Sequence, residues 1–331
     1  MKEIILKKYN QKFTFGELLH AELKPNKVRV ETAYAGISFT DVIIRKGLYR
    51  YQKKHHALPL VLGFEASGII SEIGTNVHEF EIGDRVIVLK KFGCFSEEII
   101  ATEQDLIKIP ATVSLEFAAS VGVNFFTAWH ALNNIVKIFP DSYILITGAA
   151  GGVGGMLTQL ASQFNTVTGL VSSSDKFEYV KSLGAHAVFC YKRKGNLGYF
   201  DVIFVSSGEQ LKKYQPMLNA NGKIILYGFN DLIPASWKHY PMTVLKYIQL
   251  PKINILHMVY ENQSISGFNI IKLTHASKEF IDAKEAFETI FSNKKFREPK
   301  ITIFNFTDIE EAFKLIESGK SIGKILLEFR G

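Results

Sequence analysis

The chain has 331 residues, of which 47% are hydrophobic and 21% charged, a balance typical of folded globular proteins that excludes a mainly disordered chain. The length predicts about two domains. The net charge is +7, and because the basic pairs are scattered along the chain, no nucleic-acid-binding face is predicted. Only two cysteines are present, which excludes a disulfide framework and a cysteine-rich zinc module.

The sequence contains neither a long apolar run nor a recognisable signal peptide. No stretch of about 18 apolar residues predicts a membrane-spanning helix. The first residues, MKEIILKKYN, lack the apolar core of a secretory signal. With so few cysteines, these features predict a cytoplasmic protein that is not inserted in a membrane.

Residues 1–110 are predicted to be rich in β-strands. Residues 27–35 alternate apolar and polar side chains, as a strand with one buried face does. Residues 60–73 and 81–89 are strand-like runs interrupted by glycines. Short strands at this spacing are typical of a small barrel. Residues 115–132 then follow a helical pattern.

From residue 143 onward, strand and helix patterns alternate. Strands are predicted over 143–147, 166–171, 187–190, 201–205, 223–227 and 265–268, and a last strand over 324–329. Helices are predicted over 152–163, 175–183, 277–291 and 308–317. Strands separated by helices imply a parallel, doubly wound sheet.

A glycine-rich turn, GAAGGVG over residues 148–154, lies between a predicted strand and a predicted helix, which is the context of a dinucleotide-binding turn. Gly151 would let the backbone approach a pyrophosphate, and Gly154 would let the helix pack against the strand. Gly152 and Val153 begin the helix, whose free N–H groups favour phosphate binding. The alternative is a merely tight turn.

The residues after the second strand of this unit favour NADP(H) over NAD(H). NAD-selective sites usually carry an acidic residue at that strand end, to bind the ribose 2′-hydroxyl. Here Ser172, Ser173 and Lys176 follow instead, and hydroxyls with a lysine suit a 2′-phosphate. Tyr191, which ends the third strand, is expected near the adenosine. The serines also fit a plain helix cap, and both roles are compatible.

The order of these pieces resembles the medium-chain dehydrogenase/reductase superfamily, in its zinc-free quinone oxidoreductase branch. The motifs that carry the resemblance are AGISFTDVIIRKGLY (35–49), LGFEASGIISEIG (62–74), GDRVIV (83–88), ITGAAGGVG (146–154) and GKILLEF (323–329). The segments VLKKFGCFSEEI, VNFFTAW, LYGFNDL and SGFNI are similar to the vesicle-membrane-protein-like subgroup of that branch.

The resemblance implies an α/β protein that combines a GroES-like β-barrel catalytic domain with a Rossmann doubly wound parallel sheet. The catalytic domain would comprise residues 1–122 and 272–331, and the cofactor-binding domain residues 123–271. Relatives usually form dimers through the last strand of the cofactor sheet, so a homodimer is expected.

The zinc-dependent members of the superfamily hold a catalytic metal with two cysteines and a histidine. The corresponding positions here are Ser38, Phe64 and Val123, which do not ligate zinc in the ordinary way, and the four-cysteine structural zinc lobe is missing too. No metal is therefore expected. The adjacent pair His55–His56 is predicted to lie on a loop or at the rim of the site.

Without a metal to polarise an alcohol, reduction of an activated acceptor is the easier reaction. The predicted activity is hydride transfer from NADPH to a quinone or another α,β-unsaturated carbonyl, a small-molecule substrate. Tyr49, where the family places a cleft tyrosine, and Ser38 are the candidate catalytic donors to the developing oxyanion. The alternatives are rim packing for Tyr49 and a buried-loop hydroxyl for Ser38. Glu65 is predicted to be structural.

Further cofactor contacts are predicted where the later strands end, because ligands of such sheets lie beyond the carboxyl ends of the strands. These contacts are Ser207, Gly228, Phe229, Phe268 and Asn269, with Lys324 after Gly323 and, from the resemblance, Thr127. For Phe229 and Phe268, ordinary core packing is an equal alternative. For Lys324, a solvent-exposed side chain is an equal alternative.

Two segments depart from the usual pattern. The link between Cys190 and Asp201 is short, so an extended crossover is predicted in place of a helix. Residues 230–263 form a long, apolar connection, predicted to be a lid, a dimer contact or a membrane-touching segment. The alternative function is an NADP(H)-binding protein with little or no catalysis, a sensor or a membrane-associated module.

Overall fold

The computed structural model describes residues 1–17, 22–192, 197–228, 254–273, 277–292 and 296–329. It divides into two compact units. The first unit comprises Met1–Phe126 and Leu273–Gly331, and the second comprises Thr127–Lys272.

The secondary structure follows the alternation expected from the sequence. In chain order the strands are β1 (Lys2–Leu6), β2 (Thr14–Glu17), β3 (Val28–Ile37), β4 (Leu60–Val61), β5 (Glu65–Ile73), β6 (Arg85–Leu89), β7 (Glu98–Ala101), β8 (Leu106–Lys108), β9 (Tyr143–Thr147), β10 (Thr166–Val171), β11 (Ala187–Cys190), β12 (Phe200–Val205), β13 (Leu218–Leu226), β14 (Ser264–Gly267), β15 (Ile301–Asn305) and β16 (Lys324–Glu328). The α-helices are α1 (Phe39–Arg45), α2 (Arg50–His55), α3 (Leu115–Trp129), α4 (Gly152–Ala161), α5 (Phe177–Ser182), α6 (Glu209–Tyr214), α7 (Ile255–Tyr260), α8 (Lys278–Ser292) and α9 (Ile309–Glu317).

The first unit is a barrel-like arrangement of mostly antiparallel strands. Its main sheet has the order β15-β16-β3-β5-β6-β8, with β7 also paired to β3, and a smaller sheet has the order β2-β1-β4. The C-terminal segment joins this unit through rings on α8, because Phe126 stacks on Phe280 with centroids 4.8 Å apart and Phe125 meets Phe287 edge-on at 5.1 Å.

The second unit is a six-stranded parallel sheet. Its order is β11-β10-β9-β12-β13-β14, so the chain winds outward from β9 in one direction and then outward through β12 in the other. The central strands are buried apolar runs, which is typical of parallel sheets covered on both faces. The predicted α/β class, a β-barrel combined with a doubly wound parallel sheet, is confirmed.

The order reverses between β9 and β12, and ligands of doubly wound sheets bind at this switch point, beyond the carboxyl ends of the strands. The register pairs Phe204 of β12 with Ile146 of β9, and Val205 with Leu226 of β13. The residues that follow these three strands therefore lie at one edge of the sheet.

The structure differs from the sequence predictions at the fifth strand of the parallel sheet, and it describes two further predicted segments only in part. The fifth strand of the parallel sheet begins at Leu218 rather than at residue 223. The link from β11 to β12 is not helical over residues 191–192 and 197–199, and residues 193–196 lie outside the described residues. Of the apolar connection 230–263, only residues 254–263 are described, and they include α7.

Candidate functional site

The glycine turn is closed by backbone contacts that only glycine permits. Gly148 has a φ of +65°, in the left-handed region. A Cβ on Gly154 would lie 2.1 Å from the carbonyl oxygen of Gly148, so α4 packs against the end of β9 at a distance that excludes any side chain there. The N–H of Gly151 donates to the same oxygen at 2.9 Å. Gly152 and Val153 are the half-buried first residues of α4.

The residues predicted to hold a 2′-phosphate follow β10. Ser172 is exposed, Ser173 is half-buried, and Lys176 is 5% exposed. Burial lowers the pKa of the Lys176 ammonium, while the charge of Asp175 acts in the opposite direction. An ammonium that has lost much of its hydration gains more than a solvated one from an anionic partner.

The other predicted cofactor residues of this unit are distributed over several elements. Ser207 is buried after β12, and Gly228 is half-buried after β13. Thr127 is buried near the end of α3. The half-buried Phe268 ring lies 5.4 Å from the His130 ring, and the exposed Asn269 accepts a hydrogen bond from the N–H of Ile271. Phe229 lies outside the described residues.

Two tyrosines reach the beginning of the glycine turn. The N–H of Gly148 donates to the hydroxyl of Tyr191 at 2.5 Å, and the hydroxyl of Tyr227 donates to the carbonyl oxygen of Thr147 at 2.6 Å. The sequence pattern predicted Tyr191 near the adenosine. It did not indicate Tyr227, nor Gln210, whose side-chain oxygen accepts a hydrogen bond from the hydroxyl of Thr147. The position of Tyr227 at the end of a strand, next to Gly228, was the available signal.

In the barrel unit, Ser38 and the buried Asp41 form a polar pair at the beginning of α1. One oxygen of Asp41, Oδ2, accepts from the backbone N–H of Ser38 at 2.8 Å and from its hydroxyl at 2.9 Å. The other oxygen accepts from the N–H of Gly63 at 3.2 Å. The Ser38 hydroxyl is thus oriented by a carboxyl group and belongs to the cap of a short helix.

A buried ion pair lies in the same unit. The ammonium of Lys324 is 2.5 Å from Oε1 of Glu65, and Oε2 of Glu65 accepts from the N–H of Val123 at 2.7 Å. The side chains are 4% and 0% exposed. A Cβ on Gly36 or on Gly122 would lie within 2.9 Å of this carboxylate, so glycines make room for it. Lys324, predicted near the cofactor, is held here by Glu65, which acts as a structural residue.

A row of rings extends from Phe64 toward Tyr49. The centroid distances are 5.3 Å for Phe64–Phe92, 4.6 Å for Phe92–His56, 6.4 Å for His56–Tyr51 and 6.3 Å for Tyr51–Tyr49. Tyr49 is half-buried and directly precedes α2. Burial, with smaller contributions from His55 and Lys91, lowers the pKa of His56. The row therefore joins the buried Phe64 and Phe92 to the half-buried rings of residues 49, 51 and 56, and the Lys91 ammonium lies over the Tyr51 ring at 5.9 Å.

The positions that correspond to zinc ligands do not form a metal site. Phe64 is 9% exposed and packed on Phe92, while Val123 contributes its backbone N–H to Glu65. Within the described ranges, no group of three or more His, Cys, Asp or Glu side chains is arranged to hold a metal ion. In the same part of the chain, no helix has the length and apolar character needed to cross a membrane.

Asp41 makes the stability of the barrel unit depend on pH. Burial raises its pKa from 3.8 to about 6, and the bonds from Ser38 and Gly63 and the charge of Lys324 oppose this. Between these two values the unfolded chain binds fewer protons than the native one, so stability falls as pH rises from about 4 to about 6. The loss from this group is on the order of 3 kcal/mol.

We expect Asp41→Asn to remove this loss. In urea denaturation monitored by circular dichroism, the wild type should lose stability from pH 4 to pH 6, whereas the variant should lack this loss. The free energy of unfolding of the variant should therefore rise relative to that of the wild type over this range. A difference between the two proteins that does not change with pH would contradict this role.

Comparisons with known proteins agree with this architecture. The family model of the alcohol dehydrogenase GroES-like domain matches residues 24–111. The mouse synaptic vesicle membrane protein VAT-1 homolog-like is 27% identical over 318 residues, which cover 93% of this chain and 76% of that protein. The bovine quinone oxidoreductase-like protein 2 is 28% identical over 327 residues, which cover 95% of this chain and 88% of that protein.

Solved structures share the fold along the whole chain. The human VAT-1 homolog-like protein superposes with a TM-score of 0.83 at 23% identity, covering 100% of this chain and 98% of that one. The quinone oxidoreductase of Escherichia coli, solved in complex with NADPH, superposes with a TM-score of 0.85 at 22% identity, covering 99% and 100%. The chain is therefore similar along nearly its whole length to the VAT-1 homologues and the quinone oxidoreductases, and its residues 24–111 match the GroES-like domain of alcohol dehydrogenases.

Proposed function

We propose that the protein is an oxidoreductase that transfers hydride from NADPH to a quinone or another α,β-unsaturated carbonyl, without a metal. The observation that carries the proposal is the glycine turn. It lies at the switch point of a parallel sheet and has backbone distances that only glycine allows at Gly154. The NADPH complex of the Escherichia coli relative supports the same cofactor here.

The choice of NADP(H) rests on the residues after β10. No carboxylate ends this strand, and the hydroxyls of Ser172 and Ser173 precede a largely buried ammonium on Lys176. A 2′-phosphate would accept hydrogen bonds from these groups and would compensate the lowered hydration of the ammonium. The free N–H groups of Gly152 and Val153, at the beginning of α4, suit the pyrophosphate.

The acceptor is served by groups of the barrel unit. When bound, the cofactor supplies the hydride, and the chain must then stabilise the charge that develops on the carbonyl oxygen. The Ser38 hydroxyl would donate a hydrogen bond to that oxygen in place of its bond to Oδ2 of Asp41, and the proton that completes the reduction would come from water. Tyr49 is the second candidate donor. A planar, apolar acceptor suits the ring row Phe64–Phe92–His56–Tyr51.

The test is NADPH oxidation, followed at 340 nm, with a panel of quinones and enones, repeated with NADH. We expect turnover with at least one of these acceptors and a clear preference for NADPH. A preference for NADH would keep the reaction and contradict the assignment of Ser172, Ser173 and Lys176. Binding of NADPH without turnover of any acceptor would contradict the enzyme.

The second candidate is an NADP(H)-binding protein with little catalysis. It is favoured by the names of the VAT-1 relatives, which describe vesicle membrane proteins, and by the burial of Phe64 against Phe92. The same assay separates the two functions, because only the enzyme consumes NADPH in the presence of an acceptor. A homodimer in the cytoplasm remains part of the proposal in either case.

A further inference from the structure

Three segments of the barrel unit contain no acidic residue, although they lie far apart in the sequence. They are residues 4–16, 42–64 and 85–96. The hydroxyl of Tyr9 donates to Oε1 of Gln52 at 3.0 Å, and this bond joins the first segment to the second. The Phe92 ring lies 4.6 Å from the His56 ring and joins the third segment to the second. The fold thus gathers basic residues that are scattered along the sequence.

Exposed cations surround two half-buried tyrosines of these segments, Tyr9 and Tyr51. The ammonium of Lys53 lies over the Tyr9 ring at 5.1 Å, and the ammonium of Lys91 lies over the Tyr51 ring at 5.9 Å. The other cations are neighbours of the two tyrosines along the chain. We call these six exposed side chains the basic surface: Lys7, Lys8, Arg50, Lys53, Lys54 and Lys91.

No acidic side chain in the described ranges forms an ion pair with the basic surface. On α9, Glu310 is bound by Arg45 at 2.7 Å and also accepts from the N–H of Phe13 at 2.9 Å. Glu317 of the same helix is bound by Lys46 at 3.0 Å. Because charges of one sign repel each other, an anionic ligand would relieve a cost that the chain itself leaves uncompensated.

The ring row connects the basic surface to the candidate donors of the same unit. Its half-buried end includes Tyr51, and its other end is the buried Phe64. The N–H of the residue before Phe64 donates to the carboxyl of Asp41 at 3.2 Å, and this carboxyl also binds the Ser38 hydroxyl at 2.9 Å. An acceptor whose carbonyl oxygen meets Ser38 can therefore extend along the row and place a charged end at the basic surface.

The composition of the surface favours a phosphorylated small molecule over a lipid bilayer. Peripheral membrane segments insert large apolar side chains between the lipids. Residues 42–64 and 85–96, all of which are described, expose no large hydrophobic side chain. Phosphate oxygens, by contrast, accept charge-assisted hydrogen bonds from lysine and arginine, and one phosphate can bind more than one of them.

We propose that the acceptor is an α,β-unsaturated acyl thioester of coenzyme A, whose phosphorylated nucleotide binds the basic surface. This inference rests on the proposed function, because it names the substrate class of the same site. The thioester carbonyl activates the double bond as a ketone does. Hydride from NADPH adds to the β-carbon and a proton from water adds to the α-carbon, so the products are the saturated thioester and NADP+.

The first test measures binding without turnover. Coenzyme A is titrated calorimetrically into the protein with NADP+ in excess, so that the ligand does not occupy the cofactor turn. We expect the double variant Lys54→Ala with Lys91→Ala to bind about tenfold more weakly than the wild type, because two exposed cations beside Tyr51 are lost. The double variant Lys54→Arg with Lys91→Arg keeps both charges and should bind like the wild type.

Lys24→Ala is the matched control. Lys24 is also an exposed lysine of the barrel unit, but it precedes β3, whereas Ser38 follows this ten-residue strand. We expect this variant to bind coenzyme A like the wild type. Added salt should weaken binding by the wild type and by Lys24→Ala more than binding by the double alanine variant, because salt screens the charges that the double variant lacks.

The second test compares two acceptors that share the reacting group. Crotonyl-coenzyme A and crotonyl-pantetheine carry the same thioester on the same arm and differ only in the phosphorylated nucleotide. In the wild type, kcat/KM should be at least about tenfold higher for crotonyl-coenzyme A, through a lower KM. In the double alanine variant this preference should be mostly lost, while kcat at saturation stays constant.

The possible outcomes separate this inference from the proposed function. Absence of coenzyme A binding in the wild type, or binding that the double alanine variant leaves unchanged, would overturn the inference. Equal kcat/KM for the two thioesters would overturn it too, and reduction of quinones or simple enones would then leave the proposed function standing. Binding that follows the variants, without turnover of any acceptor, would contradict the enzyme and still support the basic surface as a nucleotide site. Sedimentation of the wild type with phosphatidylserine vesicles, without binding of coenzyme A, would replace the inference with a lipid-binding surface.

Discussion

Replacing Gly154 with alanine is expected to weaken NADPH binding at least about 100-fold. The added Cβ would lie 2.1 Å from the carbonyl oxygen of Gly148 and 3.1 Å from Cα of Ala149, and both of these atoms belong to the backbone. Neither atom moves without displacing α4 from β9, and the N–H groups that face the pyrophosphate move with the helix. A loss of about 2.8 kcal/mol corresponds to this factor and lies within the usual range for overpacking.

The measurement is a fluorescence titration of the variant with NADPH, alongside circular dichroism to monitor folding. Gly267→Ala is the control in the same unit, because a Cβ there would meet nothing closer than the oxygen of Leu226 at 3.8 Å. The control should bind like the wild type. Binding by Gly154→Ala within twofold of the wild type would show that the turn tolerates a side chain and would contradict its assignment.

Replacing Lys324 with methionine is expected to destabilise the barrel unit by about 3–5 kcal/mol, because the change leaves the buried carboxylate of Glu65 without its cation. The N–H of Val123 still faces the charge. The effect should be visible as a lower midpoint in urea denaturation. If Lys324 instead contacted the cofactor, as the sequence predicted, the variant would bind NADPH more weakly and its stability would change little.

The double variant Glu65→Gln with Lys324→Met is the control for this interpretation. The glutamine carbonyl still accepts from the N–H of Val123, and no uncompensated charge is left. We expect the double variant to recover much of the stability that the single variant loses. A double variant as unstable as Lys324→Met would contradict the ion-pair explanation and would point to lost packing instead.

The parallel sheet was predictable because its signals are local. The run YILIT, the glycines at Gly151 and Gly154 and the alternating helices lie close together in the sequence, and the structure places β9 over the predicted residues. The beginning of β13 was not predictable in the same way. The segment NANG resembles a turn, and Asn221 does adopt a positive φ of 64°, but the strand continues through it with a shift in its pairing to β12.

The contacts that join distant residues could not be derived from patterns of spacing. Glu65 and Lys324 are separated by 259 positions, and nothing near either of them in the sequence indicates the other. The same holds for Tyr227 and Thr147, which are 80 positions apart. The sequence thus indicates the cofactor turn, whereas the supporting contacts within each unit appear only in the folded chain.

The central claim is that hydride passes from NADPH to an activated carbonyl acceptor. The most direct measurement uses NADPH carrying deuterium at both C4 positions, an enone acceptor and mass spectrometry of the product. The proposed reaction predicts one deuterium on the β-carbon of the reduced enone and an oxidised cofactor that retains the other. A product without deuterium, or no product while the labelled cofactor stays bound, would contradict the claim.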